Sequence, residues 1–151
     1  LTLIATAALA TATFAKGTDS TLHVAAAAND TTAVQRALES GARVDGLSVS
    51  GNTALMAAAA YGCVDVVELL IGHGANVNAR GRIGNTALIY AAQSGHVNVT
   101  RPLIDAGAGA HAANDCGTSP MSLALGLGHR DIVVLLESCP VAREALLASA
   151  L

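Results

Sequence analysis

The sequence predicts an all-α solenoid of stacked helix-turn-helix units, and three observations predict it. Gly41, Gly74 and Gly107, each followed by Ala (Ala42, Ala75, Ala108), stand 33 residues apart. Leu55, Leu88 and Met121 recur at the same step, as do Gly62, Gly95 and Gly128. Short helical patterns fill the intervals between these marks, and a fixed period of this length is the signature of a stacked repeat.

The clearest unit runs from Asn52 to Ala79, NTALMAAAAYGCVDVVELLIGHGANVNA: two helical patterns, a Gly between them and a Gly-Ala turn after them. It resembles the ankyrin repeat. Residues 48–80 carry the family pattern at Gly51, Thr53, Leu55, Ala58, Ala59, Gly62, Val66, Val67, Leu70, Ile71, Gly74, Ala75, Val77 and Asn78. Residues 81–113 repeat it with Gly84, Thr86, Leu88, Ala91, Ala92, Gly95, His96, Val99, Leu103, Ile104, Gly107 and Ala108, and looser copies span 19–46 and 114–140. The resemblance implies an ankyrin-repeat solenoid with β-hairpin-like connecting loops over residues 17–140.

Residues 1–16 precede the first clear repeat. They are apolar and rich in small residues, with cleavage-site-like patterns at Ala10–Ala12 and Thr13–Ala15 before Lys16. The leading reading is the apolar region and cleavage site of an export signal, which would place the protein in a bacterial periplasm or outside the cell. The other is a remnant of a preceding repeat, since Leu1 and Ile4 fall 33 residues before Val34 and Ala37; the protein is then cytoplasmic.

Repeat one keeps Ser20-Thr21-Leu22-His23, close to the family's T-P-L-H, with Asn29 where later repeats have Gly62, Gly95 and Gly128. Asn tolerates a left-handed backbone better than most residues, so it fits that register. Second helices show apolar residues at i, i+1, i+4 and i+5: Ala33, Val34, Ala37, Leu38; Val66, Val67, Leu70, Ile71; Val99, Thr100, Leu103, Ile104; and Ile132, Val133, Leu136. So narrow a stripe suits a helix buried on one side only. First helices are mostly Ala, which lets neighbouring backbones approach, and no unit can bury its own face without stacking.

Two residues depart from the pattern. Pro102 lies inside the second helix of repeat three, where it removes a backbone donor and predicts a local distortion. Glu137 replaces Ile71 and Ile104, which suits the polar outer face of a terminal repeat. Residues 141–151, VAREALLASAL, read as a short capping helix or a truncated end.

Composition narrows function by exclusion. Charged residues are 13% and the net charge is -3, so nothing draws the chain to nucleic acid or an anionic membrane. With one Phe, two Tyr and no Trp there is no aromatic platform for bases. Much of the 52% apolar share is Ala, and no run approaches the ~20 strongly apolar residues of a membrane span.

No catalytic set is legible, and no cofactor is expected. His129-Arg130-Asp131 matches a kinase H-R-D triplet, but the accompanying Gly-rich loop, D-F-G and downstream Asn are missing. The run from Gly46 to Gly51 lacks nucleophile-elbow spacing and fits a turn. Cys63, His96 and His129 share one position in successive repeats; equivalent atoms in stacked helices lie roughly 8–10 Å apart, a ladder that cannot close on one metal ion. By resemblance, His96 and His129 hydrogen-bond backbone between repeats, and His23 is structural. Three cysteines lack a C-x-x-C pair, and Cys63, Cys116 and Cys139 fall on separate elements, so no disulfide is expected.

What the resemblance leaves as functional surface is a concave face of hairpin tips and outward first-helix positions. By register these are Val49, Ser50, Asn52 and Tyr61; Arg82, Ile83, Asn85 and Gln93; and Asp115, Cys116, Thr118 and Leu127. Val49, Tyr61, Ile83 and Leu127 would anchor a partner, and Arg82 and Asp115 would orient it. The expected function is a monomeric, non-enzymatic module that binds another protein. The alternatives are a regulatory or protective subunit of an enzyme in the same compartment, or a fragment of a larger array.

Overall fold

The computed structural model describes residues 19–139. The expected signal or remnant over 1–16 and the expected cap over 141–151 lie outside them. The described residues form eight helices and no strand: α1 (residues 19–27), α2 (Thr31–Glu39), α3 (Ala54–Tyr61), α4 (Val64–Gly72), α5 (Ala87–Ser94), α6 (Val97–Asp105), α7 (Pro120–Leu127) and α8 (Arg130–Glu137).

Each first helix after α1 is started by a hydroxyl. Thr53, Thr86 and Ser119 have extended backbones, and their side-chain oxygens accept from the amides of Met56, Ile89 and Ser122 at 3.3, 3.4 and 3.1 Å. That satisfies one of the orphan donors of the first turn. The same helices end at Gly62, Gly95 and Gly128, with φ of 70°, 74° and 75°, a region that costs other L-residues about 1–2 kcal/mol. Asn29 takes φ 55° at the equivalent point of repeat one, as its place in the register predicts.

Second helices close in the same way as the first, where the amides of Cys63, His96 and His129 reach back to the carbonyls of Ala58, Ala91 and Ala124. The amides of Ala42, Ala75 and Ala108 reach back to the carbonyls of Ala37, Leu70 and Leu103 at 3.0, 3.0 and 2.9 Å, across Gly41, Gly74 and Gly107 at φ 96°, 85° and 94°. This is a Schellman ending: the glycine supplies the left-handed turn and the following Ala satisfies an orphan carbonyl. The Gly-Ala pairs that reveal the period are therefore helix stops.

First helices pack on first helices (α3 on α5, α5 on α7) and second on second (α2 on α4, α4 on α6, α6 on α8). Ala54, Ala58, Ala59, Ala87, Ala91, Ala92 and Ala124 are buried between first helices. The stripes of the second helices complete the core with Val34, Val66, Val67, Leu70, Val99, Leu103, Ile132 and Leu136. Thr100 sits in that stripe fully buried, its hydroxyl turned back to the His96 carbonyl at 2.9 Å.

Pro102 does not interrupt its helix. α6 runs unbroken from Val97 to Asp105, and at 9 residues it matches α4. The proline removes one bond only, the one its nitrogen would give to the carbonyl of Asn98. Asn98 is exposed, so water can take that carbonyl, and flanking packing holds the rest. Glu137 is exposed, as its place on the last described helix requires.

Candidate functional site

The loops between repeats are built to one plan. Ser48, Gly81 and Asn114 each donate a backbone bond to the carbonyl four residues on, at Asn52, Asn85 and Thr118 (2.8, 2.8 and 2.9 Å). Gly51, Gly84 and Gly117 close the tip by donating back to the same three residues at 2.8, 2.9 and 3.0 Å. One closing bond and one tight turn make a hairpin-like projection without a strand ladder.

Side chains then tie each loop to the next. Asp45 accepts from the Asn76 amide and Asn78 from the Gly109 amide, both at 2.9 Å and both at the same repeat position. His23 places Nδ1 2.5 Å from the Asp19 carbonyl and Nε2 2.9 Å from that of Asn52, joining repeat one to the next loop. Arg80 donates to the Ala113 carbonyl at 3.0 Å and to the Asp115 carboxylate at 3.1 Å. The tips thus stand as a fixed row.

The predicted surface residues divide. Val49 is entirely exposed, Tyr61 is 68% exposed, Ile83 51% and Leu127 53%, and Ser50, Arg82, Gln93 and Cys116 are also exposed. Asn85 is a correction. It is buried, and its Oδ1 accepts from Asn114 Nδ2 at 2.7 Å, so it braces the loop and offers nothing to a partner. Asn52 and Thr118, at the same position, are half-buried; Asn52 Oδ1 accepts from the Tyr90 hydroxyl at 3.3 Å, and the Thr118 amide donates to Asn114 Oδ1 at 2.9 Å. Asp115 is exposed but already paired with Arg80, so it is not free to orient a partner.

The structure brings Ser50, Asn52 and Tyr61 together in a groove of about 400 Å³. Val24 and Ala27 of α1, Met56, Ala57 and Ala60 of α3, and Tyr90 of α5 complete its walls. Val49 lines a second hollow of about 530 Å³ next to it, with Ser50, Leu47 and Val24. Arg82, Ile83, Asn85, Gln93, Asp115, Cys116, Thr118 and Leu127 lie outside both. Val24 and Tyr90 are groove residues that register could have found: with Ala57 and Leu123 they form one column 33 residues apart.

The Cys63, His96 and His129 column is a ladder. Cys63 Sγ donates to the Ala27 carbonyl at 3.7 Å, and His96 Nε2 lies 3.1 Å from that of Ala60, each bond reaching back 36 positions. The His129 ring lies against Gly95. Among the described residues no group of His, Cys, Asp or Glu could hold a metal ion. Cys63, Cys116 and Cys139 are free thiols, the first and last buried. Burial pushes the Cys63 thiol up, opposed by the Asn29 backbone amide and reinforced by Asp65.

The family model described as ankyrin repeats (3 copies) matches residues 6–81 and again residues 79–142. The chain belongs to the ankyrin-repeat family. Ankyrin repeats are generally protein–protein interaction modules and typically not enzymes. Comparison with curated proteins gave no match. The ankyrin fold accounts for the row of tips and for the apolar column beneath it, and no described helix is long and apolar enough to cross a membrane.

Proposed function

We propose that this ankyrin-repeat chain is a non-enzymatic module that binds another protein through the groove between its loop tips and first helices. One observation carries the reading: Val24, Val49, Tyr61 and Ile83 stand exposed along a face whose loops are held rigid by inter-repeat bonds. Large apolar groups on a surface already ordered lose little entropy on binding and gain by leaving water. Scattered singly they would mean nothing; here Val24, Val49 and Tyr61 line two adjoining hollows, and Ile83 stands on the neighbouring loop tip.

The test is affinity capture from cell extract with three proteins: the native chain, a variant combining Val49→Ser, Tyr61→Ser and Ile83→Ser, and a control, Val134→Ser. Val134 is 62% exposed on α8, away from the groove. A protein captured by the native chain and the control but lost with the triple variant supports the proposal. Capture indifferent to the triple variant defeats it.

A further inference from the structure

Charge is sorted by element in this molecule. Helices α2, α4, α6 and α8 each carry two or three charged residues, whereas α3, α5 and α7 carry none and α1 has Asp19 alone besides His23. The loops supply the remaining charges beside the groove, and most are consumed. Asp19 takes both the amide (2.9 Å) and the guanidinium (3.6 Å) of Arg43; Asp45 accepts from the Asn76 amide; Asp115 is held by Arg80.

Arg82 is the exception: among the described residues it has neither an ion pair nor a side-chain hydrogen bond, and it is exposed. Its β-carbon rests over Gly51, 3.0 Å from where a β-carbon on that glycine would stand. That fixes the root of the side chain beside the Val49–Ser50 tip, which walls the groove. The face therefore presents apolar side chains and one uncommitted cation.

We propose that the occupant is a segment of another protein with apolar side chains and one carboxylate, seated on Val49, Tyr61 and Ile83 with the carboxylate on Arg82. This rests on the groove reading above and narrows it. A guanidinium offers a planar fork that a carboxylate fits with two parallel hydrogen bonds. A bound apolar segment excludes water around the pair and strengthens it beyond an open surface ion pair. A basic segment finds no free anion here, because Asp19, Asp45 and Asp115 are all engaged.

The test is selection from a displayed random dodecapeptide library against the whole chain, followed by affinities of the chosen peptides for the native chain, Tyr61→Ala, Ile83→Ala, Arg82→Gln and Arg82→Glu. Peptides should share apolar positions and one Asp or Glu. Arg82→Gln should weaken them roughly five- to tenfold. Replacing the shared acid with its amide should weaken them equally, with no further loss when both changes are combined. A Lys in place of the acid should recover binding to Arg82→Glu. Peptides that depend on Tyr61 but share no acid and ignore Arg82→Gln overturn the Arg82 assignment and leave the groove standing. If no peptide depends on Tyr61 or Ile83, both fall. Arg82 makes no side-chain bond among the described residues, so its variants should keep the native fold, and their thermal unfolding checks this.

Discussion

The imidazole of His96 lies against Gly62: a β-carbon on that glycine would stand 2.7 Å from His96 Nδ1. The ring is pinned there by its own bond to the Ala60 carbonyl. Gly62 is thus required twice, by its left-handed backbone and by the side chain of the next repeat. His129 stands in the same relation to Gly95, with 2.7 Å from Cε1 to the same imagined atom, while among the described residues nothing lies within 4 Å of that atom at Gly128.

That sequence of environments predicts a graded series. Gly128→Ala should cost about 1 kcal/mol, the strain of the left-handed region alone. Gly62→Ala should cost about 2–3 kcal/mol, because the ring must also move and its hydrogen bond is lost. Gly95→Ala should fall between, since no hydrogen bond among the described residues ties the His129 ring. Urea unfolding of the three variants measures the order.

Pro102 occupies the position of Leu69 and Leu135 in neighbouring repeats. Pro102→Leu should restore the bond to the Asn98 carbonyl inside a helix that is already continuous. A stabilisation of roughly 1–3 kcal/mol is expected, below the full cost of an interior proline because the helix has adapted to it. An unchanged or lower melting temperature would show that the proline fits better than its neighbours suggest.

Much of the fold is legible because its marks are local. Glycines at 33-residue steps, Thr53 and Thr86 before Ala-rich stretches, and Asn29 in a glycine's place each report a backbone requirement within one turn. The site is less legible because direction is not local. Register places Asn85 on a loop with Arg82 and Ile83, yet its side chain turns inward to Asn114, 29 residues away. Asp115 reads as a free charge until Arg80, 35 residues earlier, is seen to hold it. Tyr90 and Val24 share a column with Ala57 and Leu123, and that mixture of sizes hides the column. Gln93 stands one residue short of Ser94, the true equivalent of Tyr61 and Leu127.

Asn85 and Ile83 should therefore behave oppositely. Asn85→Ala strands the half-buried Asn114 amide and should cost about 1–2 kcal/mol. Ile83→Ala removes an exposed side chain and should change stability by less than about 0.5 kcal/mol, while weakening any groove partner. Chemical denaturation paired with binding separates the two.

The thiols give a pH prediction. Only Cys116 is exposed, so a thiol reagent should label one site in the native protein and three after unfolding. The Cys63 thiol is raised in the folded state, first by burial, so folding favours its protonated form. That contribution is complete below the ordinary thiol range and is lost as pH rises through the folded value. Stability measured upward from pH 8 should decline, and Cys63→Ala should decline less.

The proposed function stands on the loop tips and first helices forming the binding face. Hydrogen–deuterium exchange on the complex with a captured protein tests it most directly. New protection is expected at the amides of 47–52 and 81–84, with α6 (Val97–Asp105) unchanged. Protection confined to the second helices, with the tips exchanging as in the free protein, would contradict it.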